Sequence, residues 1–397
     1  MRTSIEDYVL KRVLKVICIC MGCGLLVVGL WPFAAPKNDV SWLESGSGLH
    51  FGAHASAVSA GEFLRSEVGD GEALETWVRP ASATQSKTVF SFDGAGGADG
   101  SFTVQQKRTA LVVRRHNVTN AGEDRTAVFK VDGVFHQNQT RFVAIILKPH
   151  STDVYVDGSL VKVAEIFGLS SNNLIGRLIL ANSPSADASW SGEFFGMAIY
   201  QRQLTQLEVA DHYKRWERGP IPEPGDKAMV GSYRFDEQKG EIVHNQIDSA
   251  TDVVIPTKYS IVHPRFLASP LEPYQWDVPG ISYWKDVGLN IAGFIPAGFL
   301  FASYFRSSSQ TRWYWAALVC GFGISAVIEV LQRFLPTRDS DMTDVITNTM
   351  GTVIGIVCYR WAVGSGVRVS GLVKAEGYLR SGTRADAVEY LHPGSEG

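Results

Sequence analysis

Eight polar residues in the last third of the chain stand in or beside apolar stretches, where they cost the most to keep and so could do chemistry. Asp286 and Asn290 are four apart, Glu329 and Gln332 three apart, and Asp344 and Asn348 four apart. Arg338 and Asp341 occupy the short connection between the second and third pairs. Spacings of three and four put each pair on one helical face. A carboxylate so placed can act as a general base or carry a proton. The same side chains can instead serve as polar contacts between helices, with Asp344 capping its own helix. Burying a carboxylate in hydrocarbon costs roughly 3 kcal/mol, so these groups should face a bundle interior, with Arg338 as the available cation. Three pairs arriving from three helices at one depth point to a site rather than to isolated contacts.

Four apolar stretches must position these residues: 16–35, 287–305, 313–334 and 345–363. Each is close to the ~20 residues a helix needs to cross a bilayer. At 1.5 Å per residue, Glu329 lies about 8 Å inside the end of its stretch, level with the other two pairs. Lys11, Arg12 and Lys15 precede the first stretch, which places residues 1–15 in the cytoplasm. The second span then returns inward, the loop with Arg306 and Arg312 is cytoplasmic, and Arg360 with the tail 364–397, which carries Arg368, Lys374, Arg380 and Arg384, is also inside. The polar pairs therefore belong to the outer side. The first stretch exceeds a usual signal-peptide core and reads as a retained anchor. Pro296, Gly298, Gly351 and Gly355 read as packing devices that let backbones approach closely, and Gly293, Gly321 and Gly323 are read the same way.

Between the first two stretches the pattern changes. Short runs such as LETWVRP (74–80), TVFSF (88–92), SFTVQQ (101–106), ALVVRRH (110–116) and RFVAIIL (141–147) alternate with Gly, Asp and Asn turns. DVYVDGSLV (153–161), LILAN (178–182) and FFGMAIY (194–200) continue the series. Many short strands with turn signals predict an antiparallel sandwich over 38–216. Asp157–Gly158 suits a type I′ hairpin turn. An amphipathic helix is predicted over 204–216, with Leu204, Leu207, Val209 and Tyr213 on one face. Residues 217–285 read as a linker that adds strands and approaches the bilayer.

The series GLHFG (48–52), LETWVRP, FVAIIL, VYVDGSLV and FFGMAIYQRQLTQLEV resembles the laminin-G-like, concanavalin-A-like jelly rolls. Its closing element is Gly196, Met197, Ile199, Tyr200, Arg202, Leu204, Thr205 and Glu208. That resemblance implies a sandwich that binds glycans or proteins, or is purely structural. Residues 286–363 resemble the VanZ-like family of small bacterial envelope proteins. The resemblance is carried by Asp286, Asn290, Phe294, Pro296 and Gly298, then by Glu329, Gln332, Pro336 and Arg338. Asp341, Asp344, Asn348, Gly351 and Gly355 complete it. It implies a four-span bundle in a family first associated with low-level glycopeptide resistance. Here about 250 residues separate the first two spans, where the family has a short loop.

The fold class expected is thus a multidomain membrane protein, four transmembrane α-helices plus an extracytoplasmic antiparallel β-sandwich, in a bacterial cytoplasmic membrane. The net charge of −3 offers no footprint for nucleic acid. All five cysteines lie in apolar stretches, which excludes a disulfide framework in the sandwich. The nine histidines are scattered and read as surface or turn residues. No phosphate loop, zinc-protease helix or nucleophile elbow occurs, so no catalytic residue is assigned and a non-enzymatic role is expected. No cofactor is expected; a calcium ion in the sandwich is the alternative, with Asp93, Asp99, Asp132 and Asp157 as loop candidates that turn chemistry explains as well. The partners expected are membrane lipid and an envelope glycan or protein. The alternative is a membrane enzyme or transporter for a lipid-linked saccharide.

Overall fold

The computed structural model describes residues 2–44, 46–64, 71–94, 102–118, 124–165, 173–185, 189–216, 226–263, 266–269, 281–307, 312–335, 337–338 and 340–364. The chain divides into a helical unit (Met1–Trp31, Phe266–Gln332 and Ser340–Gly397) and a sandwich unit (Pro32–Arg265 and Arg333–Asp339). The tail from residue 365 on lies outside the described residues.

The helical unit contains α1 (Arg2–Leu30), which opens the chain. The sandwich begins with β1 (Val40–Trp42), β2 (Leu49–Phe51), β3 (Ala57–Ser59), β4 (Glu72–Pro80) and β5 (Ser86–Asp93). Next come β6 (Phe102–Lys107), β7 (Ala110–Val118), β8 (Asp124–Val131), β9 (Arg141–Leu147), β10 (Ser151–Val156) and β11 (Ser159–Glu165). After these come β12 (Arg177–Leu180), β13 (Gly192–Tyr200), α2 (Gln206–Trp216), β14 (Met229–Tyr233), β15 (Ile242–Val243) and β16 (Val253–Val254). One sheet runs β1-β2-β13-β4-β9-β10-β11, with β14 also on β13, and the other runs β15-β16-β3-β12-β5-β6-β7-β8. Every strand pair is antiparallel. The segment after α2 therefore feeds both sheets.

Inward residues of the two sheets, among them Phe51, Phe90, Phe102, Ile145 and Phe194, form one apolar core. A second cluster covers the outer face of the first sheet, where Phe142, Ala144, Ile146 and Tyr200 meet Val209 and Trp216 of α2. Double-sided burial explains why RFVAIIL does not alternate: six of its seven residues are buried. The β10–β11 turn has Asp157 at φ 50° and Gly158 at φ 75°, as a type I′ turn requires. Helix α2 opens with a capping box. The Thr205 amide and hydroxyl donate to Glu208 Oε2 at 2.7 and 2.8 Å, and the Glu208 amide donates back to Thr205 Oγ1 at 3.3 Å. Leu207, expected on the packed face, is instead 83 % exposed. The helix buries its 209–216 side because Trp77 of β4 and Phe142 of β9 stack with Trp216 there.

His212 corrects the reading of the histidines as surface groups. Its Nδ1 lies 3.0 Å from both carboxylate oxygens of Glu75, which is wholly buried on β4. Tyr200 donates to Glu75 Oε2 at 3.2 Å and stacks on the imidazole. Burial pushes the Glu75 carboxyl up, partly opposed by His212 and Tyr200. Burial alone would lower His212, but the Glu75 hydrogen bond and charge outweigh it and leave it raised. Glu208 and Arg215 also act on His212, and the nearby Arg202 pulls Glu208 down to about 2, outside the neutral range. Glu75 and His212 thus hold protons in the folded state to higher pH than in the unfolded chain, so stability falls as pH rises. The histidine contribution is complete below its ordinary pKa of about 6.5 and is lost through its raised folded value. Denaturation midpoints measured between pH 6 and 9 should fall with pH in the wild type and more shallowly in His212→Gln. Equal slopes would remove the pair from the account.

The helical unit continues with α3 (Ile281–Ser307), α4 (Trp313–Gln332) and α5 (Met342–Gly364). Helix α1 stops at Leu30, five residues short of the expected end of the first span, because Pro32 disfavours helical conformation at Trp31. Among the described residues three helices, Tyr8–Leu30, Tyr283–Ser307 and Trp313–Gln332, are long and apolar enough to cross a membrane. At 23 residues α5 has the length, but Asp344, Asn348, Arg360 and four threonines lower its apolarity. All five cysteines are free and lie on α1, α4 and α5.

Candidate functional site

Close packing of α3, α4 and α5 gathers the polar pairs. A Cβ at Gly298 would strike the Thr352 carbonyl, one at Gly351 the Ile291 carbonyl, and one at Gly355 the Ile295 carbonyl and the Phe299 amide. Gly321 would meet the Thr352 side chain in the same way. Gly293 and Gly323 face open space, so they are not packing positions. Pro296 is exposed on α3 and breaks one helix hydrogen bond without touching the site.

With the backbones this close, at least six of the eight expected residues are drawn into contacts between elements. Asn290 Nδ2 of α3 donates to Asp344 Oδ1 of α5 at 2.8 Å. Glu329 of α4 is 1 % exposed, and its Oε2 accepts the Asp341 amide at 2.8 Å. Asp341 Oδ1 in turn accepts the Thr343 amide at 2.7 Å, so Asp341, not Asp344, caps α5. Asn348 Nδ2 donates to Ser325 Oγ of α4 at 3.0 Å. Gln332 Nε2 donates to the Gly29 carbonyl of α1 at 2.9 Å. Strand-like pairing of Ala268 with Asp341 braces the loop, and Ser340 Oγ accepts the Leu267 amide at 3.2 Å.

Asp286 is not drawn in. Asp286 is exposed at the start of α3, and Arg338 is exposed in the loop, its amide donating to the Leu335 carbonyl at 3.0 Å. Ser325, Ser340, Thr343, Thr347 and Thr352 were not foreseen, yet all are buried. Ser325 is one turn before Glu329, and Thr352 one turn after Asn348, so the helical spacing that found the pairs would have found them too.

Among the described residues, three buried polar atoms of this cluster have no hydrogen-bond partner: Gln332 Oε1, Asn348 Oδ1 and Thr343 Oγ1. Two of the three are pure acceptors, a need that a hydroxyl or amino donor meets. No group of three His, Cys, Asp or Glu suited to a metal occurs among the described residues. The calcium candidates are engaged elsewhere: Asp93 with His263, Asp132 with Lys130 and Asp157 with Arg141, while Asp99 lies outside the described residues.

Residues 234–363 match the VanZ/LLP1 family, a match that begins well before α3. Residues 53–210 match the concanavalin A-like lectin/glucanases superfamily. The two matches lie on different parts of the chain, the VanZ-type match on residues 234–363 and the laminin-G-type, concanavalin A-like match on residues 53–210. No curated protein matches it. Among solved structures, a carbohydrate binding protein described as putative, from Bacteroides ovatus, is 10 % identical, with 54 % of this chain and 60 % of that chain covered and a TM-score of 0.37. The receptor binding domain of botulinum neurotoxin type G is 15 % identical over 46 % of this chain and 45 % of that one, TM-score 0.31. The serotype D ligand binding domain in complex with N-acetylneuraminic acid gives 10 %, 46 % and 46 %, TM-score 0.33. The chain spans about half the length of the solved structures it matches, and at this distance they assign it no ligand.

Proposed function

We propose that this is an integral protein of a bacterial cell envelope in which α1, α3, α4 and α5 span the cytoplasmic membrane. The sandwich stands on the extracytoplasmic side and holds an envelope or extracellular glycan or protein. The observation that carries this reading is the union, in one chain, of a lectin-type sandwich with a helical unit whose buried polar side chains converge across α1, α3, α4 and α5. Lys11, Arg12 and Lys15 before the first span and the basic tail after the last support the orientation. The full-length protein in detergent should be retained on purified peptidoglycan or envelope polysaccharide above the level of an unrelated membrane protein. Retention no higher than that control would remove the glycan half of the proposal.

The unpartnered acceptors favour a second reading, in which the helical cluster takes a lipid-linked saccharide through its hydroxyls, with Glu329 as base or proton carrier. Glu329→Gln keeps the shape and the acceptor for the Asp341 amide but abolishes the carboxylate. Glu329→Gln and Asp344→Asn should each abolish complementation of a deletion strain at wild-type protein levels. Full complementation by both variants would end the catalytic idea.

A further inference from the structure

The two sheets end side by side. Strand β8 terminates one and β11 the other, and neither has a further partner strand among the described residues. Between these edges and the turn after β8 opens a cleft of about 510 Å³, within the range of small-ligand pockets. Its lining includes Lys130, Asp132, Arg141, Val156, Val161 and Lys162.

Most of its charge is already matched. Lys130 pairs with Asp132 at 2.7 Å. Arg141 is clamped by Asp157 at 2.5 Å, Gln139 at 2.9 Å and the Val134 carbonyl at 3.0 Å. Lys162 differs: its Nζ donates to the Lys130 carbonyl at 2.8 Å across the two edges, and among the described residues no carboxylate pairs with it. A carbonyl orients an ammonium but does not neutralise it, so the cleft keeps one fixed, uncompensated cation with donors to spare. Beside it the cleft wall is made by Val156 of β10 and Val161 of β11, the latter 46 % exposed. Apolar surface next to a single positive charge complements a sugar ring that bears an acidic substituent, its C–H face on the valines and its anion on the ammonium.

We propose that the cleft between the β8 and β11 edges binds an acidic saccharide, with Lys162 as the anion-binding residue. This rests on the glycan-binding reading above and narrows it to polymers carrying carboxylate or phosphate. The test uses full-length protein in detergent, titrated with fluorescent oligogalacturonate, a glycerol-phosphate oligomer and a neutral glucan oligomer of equal length. Acidic oligomers should bind and the glucan should not, and affinity should fall with added salt. Whichever acidic oligomer binds more tightly identifies the anion. Lys162→Glu should weaken acidic binding roughly tenfold or more, as expected for loss of a charge-assisted contact, and Lys162→Met somewhat less. Lys258→Glu, outside the cleft, should change nothing, and all variants should melt like the wild type. Acidic binding unchanged in Lys162→Glu overturns the site. Binding of the glucan alone overturns the acidic preference and leaves the glycan reading standing, whereas binding of no oligomer overturns both.

Discussion

Replacing Arg115 with alanine should destabilise the sandwich by about 3–5 kcal/mol, the cost of breaking a buried charge pair from one side. On β7, Leu111, Val113 and Arg115 share the inward register, and all three are fully buried. Arg115 Nε donates to Asn173 Oδ1 at 2.8 Å and its Nη1 to Thr152 Oγ1 at 2.9 Å, so a cation on one sheet is tied to β10 of the other. Glu72 on β4, 2 % exposed, accepts the amides of Asn173 at 2.6 Å and Leu174 at 3.2 Å. Burial pushes the guanidinium down to about 10, with Glu72 opposing. Without Arg115, the buried Glu72 loses the nearby cation that acts on its charge. Denaturant unfolding followed by tryptophan fluorescence reads the loss. Combining Arg115→Met with Glu72→Gln should recover much of it, because both charges leave together. A loss below 1 kcal/mol for Arg115→Ala would show that the pair does not tie the sheets.

Gly355→Leu should unfold or dissociate the helical unit, with a loss of about 3 kcal/mol or more. Ordinary overpacking costs about 1–3 kcal/mol because side chains yield, but here the obstacles are the Ile295 carbonyl and the Phe299 amide of α3. Helices α3 and α5 must move apart, and the Asn290–Asp344 bond at 2.8 Å goes with them. Gly293→Leu, on α3, meets nothing within 4 Å and serves as the control. Thermal aggregation in detergent should shift strongly for the first substitution and little for the second. Equal shifts would contradict close backbone packing as what assembles the cluster.

Much of this architecture is legible in residue types and spacing. Hydrophobic length located α1, α3 and α4, alternation and turn chemistry located most strands, and apolar spacing over 204–216 located α2. The eighth strand was overlooked because TAVFKV carries Lys130 and lies beside the polar residues at 119–125. Leu207 was assigned to the wrong face of α2 because Trp77 and Phe142, distant in sequence, decide which side is covered. The buried Arg115 was unreadable for a related reason. In the pair Arg114–Arg115 one side chain must point inward, and only the register set by β6 and β8 decides which. At the polar cluster, helical spacing brought Asn290, Glu329, Gln332, Asp344 and Asn348 to notice. The capping role passed from Asp344 to Asp341, since α5 starts at Met342 and a cap stands just outside its helix.

The proposed sidedness is the claim on which both functional readings depend, and single cysteines introduced into a cysteine-free background test it in spheroplasts with a membrane-impermeant maleimide. Leu207→Cys on the exposed face of α2 and Asp286→Cys at the polar end of α3 should label in intact spheroplasts. Arg312→Cys, before α4, should label only after lysis. Labelling of Arg312→Cys in intact spheroplasts, or protection of Leu207→Cys and Asp286→Cys until lysis, would contradict the account.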